Sequence, residues 1–170
     1  MDKNKPARKV FETEWFSIDA VSYESTNKKP YYRLTCNDAV SIIAKTIDEK
    51  IILVRQYRPA IGVFTLELPS GYVDLGESPE DSIKRELIEE TGFICDFVAQ
   101  MGSLRICPSR INNNLHVFFG DGAKFTGTNE TDKEIELVTE EEFKRLIVES
   151  KYTETAGIAM FLLAQLKGYL

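Results

Sequence analysis

The chain has 170 residues, of which 43% are hydrophobic and 28% are charged, a composition typical of one globular domain. The formal net charge is −6, and no long stretch is rich in lysine or arginine, which argues against a nucleic-acid-binding protein. The polar N-terminus, the lack of any run near the roughly 20 apolar residues of a membrane-spanning helix, and three cysteines without CxxC spacing together predict a cytoplasmic protein with no membrane partner.

The hydrophobic pattern predicts a single α/β domain over residues 13–170, preceded by a polar tail over residues 1–12. Alternating apolar residues at 15–34 predict an N-terminal β-hairpin with its turn at 25–30. Two β-branched runs at 39–47 and 51–57 predict a second hairpin, buried on both faces. Further strands are predicted at 64–68, 97–106, 115–119 and 134–138, and two terminal helices at 140–150 and 154–166.

The clearest helix in the sequence is predicted from residue 78 to residue 91. Ser78 is a favourable N-cap, and Pro79 suits the first helical position because its missing N–H needs no partner there. Gly92 stands where a left-handed C-cap is expected. These local signals define both ends of the helix.

Three glutamates share one face of this predicted helix. Glu89 and Glu90 follow Glu86 by three and four residues, so the three carboxylates lie close together and repel one another. A hard divalent cation would offset this repulsion, and all-oxygen carboxylate ligation is what Mg²⁺ prefers. The alternative interpretation, which is the commoner one for glutamate pairs in general, is an acidic helix face exposed to solvent.

The segment from Gly71 to Phe93 decides between these interpretations. It fits the pattern G-x5-E-x7-R-E-U-x-E-E-x-G-U at every fixed position, where U is a bulky aliphatic or aromatic residue. This segment resembles the Nudix box, and nine constrained positions make coincidence improbable. The resemblance implies an α/β/α sandwich around a mixed β-sheet, and hydrolysis of a compound linked through a diphosphate to a nucleoside.

The resemblance also implies a role for individual residues of the box. Glu86 and Glu90 would ligate divalent metal directly, Glu89 would join them directly or through water, and the carbonyl of Ser70 would be a further ligand. Arg85 would orient the glutamates through its fork of donors. The implied cofactor is Mg²⁺, with Mn²⁺ as a substitute and two or three ions in each site.

The flanking segments R-Q-Y-R at 55–58 and E-L-P-S-G at 67–71 are similar to those of ADP-ribose pyrophosphatases and related nucleotide-sugar hydrolases. This similarity implies that Arg58 contacts the substrate phosphates and that Glu67 lies near the floor of the site. It favours hydrolysis of ADP-ribose to AMP and ribose 5-phosphate. The alternatives are GDP- or UDP-linked sugars or a nucleoside triphosphate as substrate, or a non-catalytic module that senses nucleotide sugars.

Two aromatic residues are candidates for binding the nucleobase. Trp15 resembles a tryptophan that stacks on adenine in homodimeric members of this group, and Tyr32 would be the opposite stacking face. The alternative is that both are core or interface aromatics. We expect a homodimer that binds a small-molecule nucleotide sugar.

The distal end of the substrate and the general base are less well defined by the sequence. The Ser/Thr-x-Glu segment that usually follows the proline at position 108 in this group is absent here. Arg110 is the candidate for a phosphate contact. The general base is expected on a late loop, where Glu134 and Glu130 are the candidates, although the most natural match is Lys133. Both carboxylates have the alternative interpretation of solvated loop residues.

Overall fold

A computed structural model describes residues 7–22, 29–127, 131 and 133–170. These residues form strands and helices in a mixed order. The strands are β1 (Arg8–Glu12), β2 (Ser17–Val21), β3 (Tyr31–Thr35), β4 (Ala39–Thr46), β5 (Ile51–Arg58), β6 (Val63–Glu67), β7 (Ser70–Tyr72), β8 (Phe93–Ile94), β9 (Phe97–Leu104), β10 (Leu115–Phe125) and β11 (Glu134–Val138). The helices are α1 (Pro79–Thr91), α2 (Glu140–Val148) and α3 (Thr155–Leu166).

The central sheet has the order β11-β5-β4-β10-β8, with β6 added to β5, β7 to β4 and β9 to β10. Strands β4 and β10 are parallel, and the other pairs are antiparallel, so the sheet is mixed. The predicted hairpin of β4 and β5 pairs next to its turn, where Lys45 lies opposite Ile51. Strand β4 then pairs with β7, which brings the start of the segment 71–93 against the centre of the sheet.

Helices cover both faces of this sheet. Because side chains alternate along a strand, Ile42 of β4 packs with Ile83 and Leu87 of α1 on one face. Ile43, its neighbour, belongs to the core on the other face, which includes Phe143 of α2. The predicted α/β/α sandwich around a mixed sheet is confirmed.

The N-terminal region differs from the expectation. Residues 8–12, which the sequence assigns to the tail, form β1 and pair with β2 in a separate three-stranded sheet, β1-β2-β3. All five residues of β1 are exposed, so there is no buried alternation to reveal the strand from sequence. Most of the predicted turn at 25–30 lies outside the described residues. No helix of the described residues is long and apolar enough to span a membrane.

Candidate active site

Helix α1 begins and ends where its local signals predict. The Ser78 hydroxyl accepts a hydrogen bond from the Asp81 N–H (3.1 Å), and Pro79 is the first helical residue. Gly92 adopts φ 73° and its N–H bonds the carbonyl of Ile88 (2.8 Å), which closes the helix with a left-handed cap. Burial of Ile83 against the sheet fixes the rotation of the helix, and this rotation turns its glutamates toward β7.

Arg85 joins the carboxylates around the start and middle of α1. Its Nε and Nη2 donate to Glu77 (3.2 and 3.0 Å), and its Nη1 donates to Glu86 (2.9 Å) and Glu89 (3.2 Å). The hydrogen bond from Arg85, followed by one from Ser82, lowers the pKa of Glu77 to about 2. Arg85 therefore hydrogen-bonds three carboxylates around α1 at once through its fork of donors.

Glu86 lies directly over the backbone of Gly71. A Cβ built on Gly71 would be 1.9 Å from Cδ of Glu86, so only glycine lets the carboxylate approach this closely. Burial raises the pKa of Glu86, the charges of Glu90 and Glu89 add to this effect, and the contacts with Arg85 only partly offset it. The carboxylate thus occupies a tight cradle in which its charge is incompletely compensated.

Glu90 is the most enclosed glutamate of the cluster, with 7% of its surface exposed. Its Oε2 accepts the backbone N–H of Ser70 (3.1 Å), and its Oε1 contacts the ammonium group of Lys133. Within the described part of the chain, no three acidic side chains already converge as a metal site. The oxygens are held instead by Arg85 and Lys133.

A cleft of about 830 Å³ opens in front of these glutamates. Its floor carries an Arg58–Glu67 pair, in which Nε donates to Oε1 (2.8 Å) and Nη2 contacts Oε2. Thr65 (2.6 Å) and Gln56 (3.0 Å) also donate to Glu67. Burial raises the pKa of Glu67, but the hydrogen bonds from Arg58, Thr65 and Gln56 outweigh it, so the pKa is lowered overall. The pKa of Arg58 is raised, first by Glu67 and further by the charges of Glu90 and Glu154.

Comparison with known proteins assigns this arrangement to a family. The model of the NUDIX domain matches residues 35–154, which include the cleft glutamates and the helix that carries them. The chain belongs to the Nudix family.

Individual relatives agree with this assignment. The chain is 40% identical over 121 residues to the ADP-sugar pyrophosphatase of Mus musculus, and the aligned region covers 64% of this chain and 56% of that protein. It is 34% identical over 83 residues to the ADP-ribose pyrophosphatase of Bacillus subtilis, covering 49% and 45%. The chain therefore spans about half the length of these relatives. A crystal structure of an ADP compounds hydrolase has the same fold, with a TM-score of 0.79, 19% identity and coverage of 97% and 95%.

The structure places half of the predicted site residues in the lining of the cleft. The Nudix-box glutamates Glu86 and Glu90 line it, and Glu89 is held beside them by Arg85. The remaining predicted residues that line it are Ser70, Arg58, Glu67 and Trp15.

Other predicted residues lie elsewhere. Tyr32 and Arg110 line a neighbouring depression of about 390 Å³, where the Arg110 guanidinium lies 4.7 Å from the ring centroid of Tyr31. Glu134 begins β11, is exposed, and forms an ion pair with Arg55 (3.8 Å) outside the cleft. Lys133, the residue before β11, lines the cleft, whereas Glu134 does not. Glu130 lies outside the described residues.

Lys133 and Glu154 are among the residues that line the cleft but were not predicted as site residues. Lys133 reaches it because β11 pairs with β5, a contact that no local pattern reveals. Glu154 lines the cleft while it caps α3, accepting the N–H groups of Ala156 (3.1 Å) and Gly157 (2.8 Å) and the hydroxyl of Tyr152 (2.9 Å). The capping role could have been read from sequence, but the position in the cleft depends on how α3 packs.

Proposed function

We propose that this Nudix protein hydrolyses the pyrophosphate of nucleoside-diphosphate sugars, with ADP-ribose favoured and AMP and ribose 5-phosphate as products. The observation that carries the proposal is that Arg58, the half-buried Glu86 and the buried Glu90 face one cleft of about 830 Å³, a volume in the range of small-molecule ligand sites. The named activities of the relatives, ADP-sugar pyrophosphatase and ADP-ribose pyrophosphatase, support this substrate class.

The residues fit a divalent metal. Nudix hydrolases generally use divalent metal ions, and the missing side chain of Gly71 leaves room for the Glu86 carboxylate at the cleft that Glu90 also lines. We propose that Glu86, Glu90, Glu89 and the Ser70 carbonyl hold two or three Mg²⁺ ions, or Mn²⁺ in their place, because these are all hard oxygen donors. The ions would supply Lewis-acid activation of the diphosphate and of the attacking water.

The chain's own residues would bind and orient the substrate. Glu67 fixes two of the nitrogens of Arg58, and Nη1 has no partner among the described residues, so it can donate to a phosphate oxygen. Arg85 is a positioning residue, since it acts through the glutamates that it holds. The general base is assigned to Glu130 or Glu134, and the pairing of Glu134 with Arg55 counts against Glu134.

The nucleobase would stack on Trp15, which lines the cleft and is 67% exposed. Tyr32 lines the neighbouring depression instead, so one copy does not place both aromatic rings on the same ligand. A homodimer would let rings from different copies meet, and we propose this assembly. The free cysteines Cys36, Cys95 and Cys107 are compatible with the cytoplasmic location that we propose.

The test is turnover of a panel of diphosphate compounds by the wild type and by a Glu90→Gln variant. The panel contains ADP-ribose, ADP-glucose, GDP-mannose, UDP-glucose, NADH and nucleoside triphosphates, each with Mg²⁺ and then Mn²⁺. We expect ADP-ribose to be preferred, and Glu90→Gln to lower kcat by about 100-fold or more, the loss typical of removing one charge-stabilising group.

The matched control is Glu80→Gln. Glu80 belongs to the same helix but is paired with Lys84 (2.5 Å) away from the cleft, so its loss leaves the site intact. Near-wild-type turnover by Glu90→Gln would contradict the metal assignment. Preference for another nucleotide sugar would keep the reaction and change the substrate. Metal binding by the wild type without turnover of any compound would favour the sensing module.

A further inference from the structure

Lys133 places a positive charge directly on a buried carboxylate of the site. Its ammonium group contacts Oε1 of Glu90, while the Ser70 N–H occupies Oε2. The Glu90 side chain is 9% exposed and that of Lys133 is 25% exposed, so this contact is largely shielded from solvent. Both oxygens of Glu90 are therefore satisfied by groups of the chain itself.

Arg85 and Lys133 hydrogen-bond different carboxylates of the site. Arg85 donates to Glu77, Glu86 and Glu89, and none of its hydrogen bonds reaches Glu90. Lys133 forms the ion pair with Glu90. A buried carboxylate without a partner would be strongly unfavourable, so Lys133 supplies the compensation that Glu90 needs.

We propose that Lys133 is a built-in competitor of the divalent cation for Glu90, and that it thereby sets the concentration at which metal binds. This inference rests on the proposed function, in which Glu90 is a metal ligand. A divalent ion can take Oε1 only after the ammonium group leaves it. Lysine suits this exchange, because its ammonium is a single point charge on a flexible stem that can move away while remaining solvated.

A purely structural ion pair would behave differently from a competitor. Its removal would lower stability and would leave metal affinity unchanged or weakened. Removal of a competitor lowers the stability of the metal-free protein but tightens metal binding, because the metal no longer has to displace an existing partner. The sign of the change in metal affinity separates the two roles.

The experiment is a Mn²⁺ titration of metal-stripped protein without substrate, following free Mn²⁺ by electron paramagnetic resonance. Lys133→Met keeps an unbranched apolar stem as far as the ε position and removes the charged ammonium group. We expect it to bind Mn²⁺ about tenfold more tightly, the factor expected when a charge-assisted hydrogen bond need not be broken. Lys133→Arg, which keeps the charge, should not bind Mn²⁺ more tightly than the wild type.

The matched control is Lys124→Met, because Lys124 forms an exposed ion pair with Asp96 (2.6 Å) away from the cleft. It should leave Mn²⁺ affinity unchanged. Thermal unfolding is a second measurement: Lys133→Met should unfold at a lower temperature in chelator, and Mn²⁺ should raise its Tm more than that of the wild type.

Two failures can be told apart with Glu90→Gln in the same titration. If Glu90→Gln weakens Mn²⁺ binding but Lys133→Met leaves it at the wild-type value, the competition is wrong and the metal assignment stands. If the wild type binds no Mn²⁺, or if Glu90→Gln binds it equally well, the metal assignment of the proposed function is wrong. The proposed competition between Lys133 and the metal is then wrong as well.

Discussion

The cradle over Gly71 allows a substitution that should damage the reaction without damaging the fold. In Gly71→Ala the new Cβ would lie 1.9 Å from Cδ of Glu86 and 2.1 Å from its Oε1. To restore ordinary contact at 3.4 Å the carboxylate must retreat by about 1.5 Å, and misplacement of a reacting or ligating group by 1 Å can reduce the rate about 100-fold. We expect a loss of this size in kcat/KM and weaker binding of Mn²⁺.

The stability of Gly71→Ala should change little. The clash involves the far end of a flexible side chain, and Gly71 is not among the glycines with positive φ, so alanine can adopt its backbone conformation. The free energy of unfolding should therefore change by no more than about 1 kcal/mol in either direction. Denaturant unfolding measured beside steady-state kinetics separates the two effects.

A double-mutant cycle with Glu86→Asp sharpens this prediction. The shorter aspartate draws its carboxylate back and leaves room for the new methyl group. The loss in kcat/KM of the double variant should then be smaller than the combined losses of Gly71→Ala and Glu86→Asp, because neighbouring residues are not additive. Wild-type activity of Gly71→Ala, or strictly additive losses, would refute the role of the close approach.

Two further predictions concern ionised carboxylates. Glu67→Gln should raise KM, because Arg58 loses its fixed orientation, and should lower the free energy of unfolding by about 1 kcal/mol in denaturant titrations; an unchanged KM would remove Arg58 from substrate binding. Asp38 is partly buried, which raises its pKa, but the Asn114 N–H (2.8 Å) and side-chain amide (2.9 Å) and then His116 lower the pKa overall. Because the pKa of Asp38 is lower in the folded chain than in the unfolded chain, its ionised form stabilises the fold at pH values above the unfolded pKa. This stabilisation is lost as the pH falls through the folded pKa. The difference in Tm between the wild type and Asp38→Asn should therefore decrease toward zero below about pH 4. A difference that stays constant with pH would show that ionised Asp38 is not what stabilises the fold.

The parts of the fold with local signals could be predicted from sequence. Helix α1 is the clearest case, because Ser78, Pro79 and Gly92 each act on their immediate neighbours, and all three have the expected role. Strand β4 and the first half of β5, residues 51–54, are largely buried on both faces, as their apolar runs predict. The second half of β5 differs from this expectation, because Arg55 and Tyr57 are exposed. Where a signal is carried by adjacent residues, the sequence is sufficient.

Strands that depend on distant partners were less predictable. Strand β10 was expected to end at residue 119 but continues to Phe125, because an irregularity between Gly120 and Ala123 lets it pass a turn-like segment. Strand β7 is three residues long and contains Gly71, so no apolar alternation marks it. Its pairing with β4 supplies the stabilisation that its own residues lack.

The same distinction separates the site residues that were predicted from those that were not. The spacing of Glu86, Glu89 and Glu90 on one helix determines their proximity. Lys133 and Glu154, by contrast, reach the cleft only through the pairing of β11 and the packing of α3. Tyr32 could be identified as an aromatic candidate, but which depression it lines depends on how β3 packs, and a short strand does not encode that.

The electrostatics of the cleft connect the net charge of the chain to its proposed chemistry. The described cations that line or adjoin the cleft are Arg58, Arg85 and Lys133, and each is already hydrogen-bonded to a carboxylate. A diphosphate that enters the cleft therefore meets little uncommitted positive charge besides Nη1 of Arg58, on a chain whose formal net charge is −6. We therefore propose that its binding depends on cations that arrive with it or are held by the glutamates. Under the proposed function, tight binding of the diphosphate would depend on the divalent metal, and the exchange of Lys133 for metal at Glu90 would then control substrate binding as well as turnover.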